Sequence, residues 1–123
     1  MRITLVSMIV RGVAKLAQFL PDKMGKATVA AGDTLFAGLN CFEPGQEHAA
    51  HTHAGQDKLY LILEGSAEVR VGEERERLSE GDAAFAGSGV VHSIRNPGPG
   101  RLVVLAVLAP PPSPAAVNRD HGR

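Results

Sequence analysis

The stretch HTHAGQDKLYLILEG, residues 51–65, decides the fold class predicted for this chain. If His51 and His53 lie on a β-strand, their side chains point to the same face and stand about 6.5–7 Å apart. Two imidazoles at that spacing can share a metal ion, with each nitrogen about 2.1 Å from it. The pair is a weak signal alone, because two ordinary surface histidines give the same pattern. The residues around it therefore decide between the two interpretations.

Short strand patterns separated by glycine and proline run along the chain on both sides of this stretch. In order they are KATVAA (26–31), TLFAGLNCF (34–42), HAAHTH (48–53), KLYLILE (58–64), SAEVRV (66–71), ERERL (74–78), a strand after the turn at 81–82, VVHSIRN (90–96) and RLVVLAVLA (101–109). Roughly eight to ten short strands suit an all-β fold that closes into a small barrel or jelly roll.

The strands define one domain, predicted to extend over residues 20–109. Residues 1–19 form an N-terminal segment that we expect to pack on the barrel as a strand or a short helix, because the spacing in GVAKLAQFL (12–20) is compatible with a helix. Residues 110–123 are rich in proline, which excludes them from a central strand or a helix. We therefore expect a flexible C-terminal tail.

The composition excludes several classes of protein. Thirteen basic and thirteen acidic residues give a formal net charge of zero, so no basic excess is available to neutralise nucleic-acid phosphates. No apolar run approaches the ~20 residues of a membrane helix. The single cysteine, Cys41, cannot form a disulfide within the chain. We expect a reduced, cytoplasmic protein with neither a nucleic-acid partner nor a membrane partner.

Two motifs containing glycine and histidine give His51 and His53 a context. The first has the form G-x5-H-x-H followed by a glycine, and the second has the form G-x7-G-x2-H-x3-N. Together they resemble the paired motifs of the cupin superfamily, with Gly87 where the second motif usually has proline. The matching positions are Gly45, His51, His53 and Gly65 in the first motif, and Gly81, Gly89, His92 and Asn96 in the second.

The resemblance implies a double-stranded β-helix, which is the jelly-roll barrel of cupins. It also implies that His51, His53 and His92 point inward to one divalent transition metal, such as iron, manganese, nickel, copper or zinc. A small organic molecule would be the ligand or substrate at this three-histidine site. Small cupins are usually dimers, so a homodimer is expected.

The chain departs from the family at the glutamate that normally completes the metal site. Counting back from Gly65 places Lys58 there, whereas counting forward from His53 places Asp57 there. A lysine ammonium has no lone pair and cannot ligate a metal, but a bulge could turn Asp57 or Gln56 inward as a fourth ligand. Three outcomes are open: a three-histidine site completed by water, a fourth ligand from Gln56 or Asp57, and no functional metal.

Further candidates for the pocket follow from strand alternation and position. The predicted pocket residues are Glu47, Lys58, Tyr60, Ile62 and Phe85. His48 has the opposite parity to His51 and is expected at the surface or in an interface, not as a ligand. Two classes of function fit these residues: a metal-dependent enzyme, either an oxygenase or an isomerase, and a metal-independent binding or sensor module. The fold alone favours neither, because one fold hosts many chemistries.

Overall fold

Nine β-strands and one turn of 3-10 helix make up the regular structure of residues 9–112, the part of the chain that the computed structural model describes. The helix spans Val13–Leu16. The strands are β1 (Gly25–Ala31), β2 (Phe36–Phe42), β3 (Glu47–His51), β4 (Asp57–Glu64), β5 (Ala67–Val71), β6 (Glu74–Leu78), β7 (Ala83–Ala86), β8 (His92–Arg95) and β9 (Leu102–Ala109). For the strands whose bounds were predicted, the observed ends lie within two residues of the predicted ones.

The strands form two sheets in which all the pairs are antiparallel. One sheet has five strands in the order β1-β2-β9-β4-β7, and the other has four in the order β3-β8-β5-β6. The nearly all-apolar strand β9 lies between β2 and β4, at the centre of the larger sheet. A continuous apolar run suits this place, because both faces of the strand are covered there. The predicted all-β jelly roll is confirmed.

The main core lies between the two sheets. Its buried members are Phe42, Tyr60, Ile62, Ala67, Val69, Ile94, Leu102, Val104 and Ala106. On β4 the buried residues alternate with more exposed ones, which is the period of two expected when one face of a strand is covered. Burying a large apolar side chain stabilises the fold by about 1.5–3 kcal/mol, so this layer holds the two sheets together.

A second apolar cluster covers part of the outer face of the larger sheet. Its buried centre is Leu39, Cys41 and Val103, and the N-terminal segment packs against it through Val13, Ala14, Ala17 and Phe19. Burial raises the pKa of the Cys41 thiol, so the reactive thiolate is disfavoured.

Two predicted segments lie partly outside the described residues. These are residues 1–8 of the N-terminal segment and residues 113–123 of the tail, which include His121. Within residues 9–112, no helix has the length and apolar character needed to span a membrane.

The motif glycines occupy turns that require a left-handed backbone. Gly45, Gly65, Gly81 and Gly89 have φ angles of 88°, 87°, 91° and 78°. At Gly65, directly after β4, a side chain would also overlap the carbonyl oxygen of Arg101. Glycine adopts such angles without steric cost, so the glycine spacing of the two motifs follows from the turns that position the strands of the barrel.

Candidate functional site

His51 and His92 form the centre of the candidate site. They lie directly opposite each other on β3 and β8, and their ring centroids are 4.2 Å apart. Nδ1 of His51 is 2.8 Å from the carbonyl oxygen of Ala49, and Nδ1 of His92 is 2.9 Å from that of Val90. Because a carbonyl oxygen only accepts, each Nδ1 carries the proton and each Nε2 presents a lone pair. Both Nε2 atoms are buried, with no hydrogen-bond partner among the described residues.

A β-bulge brings another histidine to the same side. Between the pairs His48–Ile94 and His51–His92, strand β3 has one residue more than β8. The extra residue shifts the alternation, so His48 and His51 face the same way. Their ring centroids are 4.4 Å apart, and His48 Nδ1 is buried without a partner among the described atoms. The prediction that His48 points to the side opposite His51 is wrong, because parity does not carry across a bulge.

His53 lies at the edge of the site. It follows the end of β3 and is exposed. Its ring centroid is 4.9 Å from that of His51 and 6.3 Å from that of His92. The fold therefore brings the three histidines of the two motifs together, although they are as far as 39 residues apart in the sequence (53 to 92).

Lys58 occupies the position that the family gives to its glutamate. Strand β4 is regular from Asp57 to Ile62, so Lys58 points into the barrel, and it is only 5% exposed. Its Nζ lies 5.0 Å from the centroid of the Tyr60 ring, within the range of a cation–π contact. Lys58, the residue found by counting back from Gly65, is therefore the one whose side chain lies inside the barrel.

Of the two residues proposed as a fourth ligand, Asp57 lies at the surface and Gln56 is hydrogen-bonded to the backbone. Asp57 is exposed, and its Oδ1 accepts a hydrogen bond of 3.1 Å from the backbone N–H of Ser88. Asp57 is therefore corrected from a candidate ligand to a residue that stabilises a loop. The Gln56 side-chain nitrogen donates to the carbonyl oxygen of Pro110 at 2.9 Å. Gln56 thus contributes to the wall of the site.

Burial and the charge of Lys58 hold His48, His51 and His92 in the neutral form. The pKa of His48 is lowered to about 2 and that of His51 to about 4, chiefly by burial and also by the positive charge of Lys58. The pKa of His92 is lowered by the same two effects. Neutral imidazole is the form that ligates a metal or accepts a hydrogen bond from a ligand.

A cavity of about 470 Å³ lies on the inner face of the larger sheet and is bordered by His48 and His53. Its polar wall includes Lys26, Asn40, His48, His53, Gln56 and Lys58, and residues 110–112 border it. The volume lies within the range of ~300–1,000 Å³ that is typical of small-molecule sites. His48 and His53 thus belong to the wall of the cavity, whereas His51 and His92 do not line it.

The remaining predicted pocket residues do not line this cavity. Glu47 is exposed on the outer face of its sheet, because its neighbour His48 points inward. Phe85 is 58% exposed on β7 and also lies on an outer face. Both are corrected from pocket residues to surface residues. Tyr60 and Ile62 do point inward, but both are packed in the core between the sheets.

Sequence reasoning also missed Lys26, which lies on β1 directly opposite Asn40. The segment KATVAA alternates polar and apolar residues, and such a pattern normally places the apolar face inward. Here the N-terminal segment covers the apolar face, formed by Ala27 and Val29, from outside. The polar face of β1, with Lys26 and Thr28, consequently lines the cavity.

Asn96, the last residue of the second motif, has a structural role. It is 1% exposed, and its Nδ2 donates to the carbonyl oxygens of Phe42 and Gly100 at 3.0 and 2.9 Å. Its Oδ1 accepts from the backbone N–H of Gly98 at 2.8 Å. These bonds fix the loop between β8 and β9 against the end of β2.

The buried Nε2 atoms of His51 and His92 have the chemistry of metal ligands, but the described side chains do not form a complete set of ligands. The buried lone pairs of His51 and His92 suit a cation such as zinc, copper, iron or nickel, all of which accept imidazole. However, no group of three or more histidine, cysteine, aspartate or glutamate side chains within residues 9–112 is arranged so that it could hold a metal ion. His53 is the exposed member of the three motif histidines and lies at the edge of the site.

Comparisons with known proteins agree with this fold. A family model described as "Cupin domain" matches residues 38–108. The tetracenomycin polyketide synthase protein TcmJ of Streptomyces glaucescens is 38% identical over 113 residues, which is 89% of this chain and 72% of that protein. An oxalate-binding protein of Thermotoga maritima is 35% identical over 74 residues, which is 60% of each protein.

Among solved structures, the crystal structure of TT1209 from Thermus thermophilus matches with a TM-score of 0.81 and 40% sequence identity. The match covers 85% of this chain and 100% of that one. The family match, these relatives and the two motifs on a two-sheet barrel all lead to one assignment. The chain belongs to the cupin superfamily as a small cupin domain.

Proposed function

We propose that this protein binds a small organic molecule beside a divalent transition metal held by His51, His53 and His92. The proposal depends on the buried Nε2 atoms of His51 and His92. A backbone carbonyl fixes the tautomer of each ring through Nδ1 and leaves Nε2 available. Metal-binding histidines are generally oriented by such a partner on their other nitrogen.

In this proposal His53 completes the set of ligands from the mouth of the site. Its ring is already within 4.9 Å of the His51 ring, measured between centroids. Because the side chain is exposed, it can change rotamer without disturbing the core. A three-histidine set leaves coordination positions for water or substrate, as catalytic metal sites require.

A metal in this place would polarise a substrate oxygen or activate dioxygen, which is the chemistry of an isomerase or an oxygenase. The protein contributes neutral imidazoles, a cavity beside them and a fixed positive charge at Lys58. Residues 110–112 border the cavity.

The names of relatives support a small molecule as the ligand. One relative is named an oxalate-binding protein and another a polyketide synthase protein. Oxalate is a small dicarboxylate, and the cavity here is large enough for a molecule of that size or larger. We therefore place the ligand in the cavity, next to the histidines.

A second candidate function is metal-independent binding of a small molecule, as in a sensor module. Lys58 favours it, because the ammonium replaces a metal-binding carboxylate and repels a cation. The incomplete closure of the histidines within residues 9–112 favours it as well. The two candidates differ in one observable, since only the first requires a metal.

Isothermal titration of EDTA-treated protein with Zn²⁺, Ni²⁺, Mn²⁺ and anaerobic Fe²⁺ tests the metal proposal. We expect one ion per chain for at least one metal, and an affinity more than about a hundredfold lower in His51→Ala and His92→Ala. Asp57→Asn is the matched control, because the amide oxygen can still accept from Ser88 and metal binding should be unchanged. Absence of binding by the wild type, or unchanged affinity in both histidine variants, would overturn the metal site.

A further inference from the structure

Four buried side-chain polar atoms have no hydrogen-bond partner among the described residues, and their side chains lie in one group. They are Nδ1 of His48, Nε2 of His51, the hydroxyl of Tyr60 and Nε2 of His92. The ring centroids are 4.4 Å apart from His48 to His51, 4.2 Å from His51 to His92, and 6.1 Å from His92 to Tyr60. Folded proteins keep few such atoms, because each one costs stability. A group of four therefore marks a place that takes a polar partner.

Tyr60 reaches this group from the opposite sheet. It lies on β4 of the larger sheet, between Ala84 on β7 and Ala106 on β9, whereas His51 and His92 belong to the smaller sheet. Tyr60 is fully buried in the core between the sheets. Side chains on a strand stand roughly perpendicular to their sheet. The hydroxyl, at the far end of the ring, therefore extends toward the sheet that carries the histidines.

Packing explains the ring of Tyr60 but not its hydroxyl. Phenylalanine would fill the same space without a polar atom. Burying a hydroxyl without a hydrogen bond costs stability, and a buried tyrosine usually finds a partner for its hydroxyl. The metal site proposed above does not use this group. The hydroxyl thus has a role that the core alone does not supply.

The hydrogen-bonding capacity of the three groups at the centre matches one water oxygen. Nε2 of His51 and Nε2 of His92 only accept, because the Nδ1 of each ring donates to a backbone carbonyl. The Tyr60 hydroxyl can donate. A water molecule donates two hydrogen bonds and accepts others, and a buried water typically makes about three in total. Tyr60, His51 and His92 do not line the large cavity, which agrees with a partner of this size.

We propose that Tyr60 is a positioning residue whose hydroxyl donates a hydrogen bond to a water oxygen held at Nε2 of His51 and Nε2 of His92. This inference rests on the proposed function in taking the two histidines as the centre of the site. It requires neither the metal nor a ligand in the cavity. It gives Tyr60 a role in the site in addition to its place in the core.

Urea unfolding of the EDTA-treated chain at neutral pH tests the inference through Tyr60→Phe, which keeps the ring. We expect the unfolding constant to rise about fivefold, because the water loses its donor while the packing is unchanged. A hydroxyl without a partner predicts the opposite sign, since its removal relieves an unpaired buried group.

A thermodynamic cycle then locates the partner of the hydroxyl. In a His51→Ala background Tyr60→Phe should change the unfolding constant by less than about twofold, because the water has lost one of its acceptors. Glu47→Gln is the matched control background, since Glu47 lies on the same strand but is exposed on the outer face. There the effect of about fivefold should persist.

NMR gives a readout that a purely structural role would not move. Tyr60 is the only tyrosine in the sequence, so tyrosine labelled with ¹³C at the ring carbon that bears the hydroxyl yields one assigned signal. The hydroxyl proton should show a rotating-frame contact with water in the wild type and lose it in His51→Ala. If this proton exchanges too fast to be seen, the unfolding cycle decides; if His51→Ala does not fold, the sign of the Tyr60→Phe effect decides.

Three results would overturn the inference: an unfolding constant of Tyr60→Phe equal to or below that of the wild type, an equal effect in the His51→Ala background, or hydroxyl contacts with protein protons alone. Isothermal titration with metal ions separates this inference from the metal site. The expected cycle without metal binding would sustain the role of Tyr60 alone. Metal binding together with a more stable Tyr60→Phe would sustain the metal site alone.

Discussion

Acidification should destabilise this protein through the buried histidines of the site. In the folded state the pKa of His48 is about 2 and that of His51 about 4, whereas an unfolded histidine has a pKa of ~6.5. Below about pH 6.5 the unfolded chain therefore binds protons that the folded chain does not, and stability falls as the pH falls. Above that value both states leave these rings neutral, so their effect on stability disappears.

The size of the effect follows from the distance between the pH and the unfolded pKa. At about pH 5, which is ~1.5 units below that pKa, each of these two histidines lowers the free energy of unfolding by about 2 kcal/mol. Together they account for about 4 kcal/mol, and the lowered pKa of His92 acts in the same direction. A domain of this size is stable by ~5–15 kcal/mol, so the loss is a large part of the total.

Urea unfolding in EDTA, followed by far-ultraviolet circular dichroism at about pH 7.5 and about pH 5, measures this loss. His48→Gln should reduce the difference between the two pH values by about 2 kcal/mol, because glutamine does not titrate. Lys58→Met should also reduce it, since removing the positive charge raises the pKa values of the buried rings. Equal stabilities of the wild type at both pH values, or an unchanged difference in His48→Gln, would refute the reasoning.

Three further predictions concern the frame of the site and its assembly. Asn96→Ala should lower the free energy of unfolding by about 3 kcal/mol or more, because the substitution leaves two carbonyls and one N–H without their partner. Chemical denaturation measures this loss, and a loss below about 1 kcal/mol would contradict the structural role of Asn96. Gly65→Ala should destabilise more than Gly55→Ala in thermal unfolding, since both have positive φ but only Gly65 abuts the Arg101 carbonyl; equal shifts would contradict this contact. The homodimer expected from the family resemblance stays a prediction, and light scattering at the mass of a monomer would exclude it.

The strands and the main ligand candidates could be predicted because their signals are local. Glycine at positive φ, the alternation of β4 and the apolar run of β9 each follow from a few neighbouring residues. The motif spacing then located His51, His53 and His92. The structure brings these three rings near one another through the pairing of β3 with β8 and the chain that follows β3.

The wall of the pocket could not be predicted, because it depends on long-range packing. One extra residue in β3 reverses the side on which His48 lies. The N-terminal segment covers the apolar face of β1 from outside, so the polar face of this strand, with Lys26, lines the cavity. The choice between Lys58 and Asp57 depended on whether β4 is regular at its start, which two conflicting counts could not decide.

The metal content of native protein, purified without a histidine tag and measured by mass spectrometry with inductively coupled plasma, tests the central claim most directly. The proposed site predicts about one transition-metal ion per chain in the wild type and almost none in a His51→Ala, His92→Ala double variant that retains the fold. A wild-type content below about a tenth of an ion per chain, or equal contents in the two proteins, would contradict a metal held by these histidines.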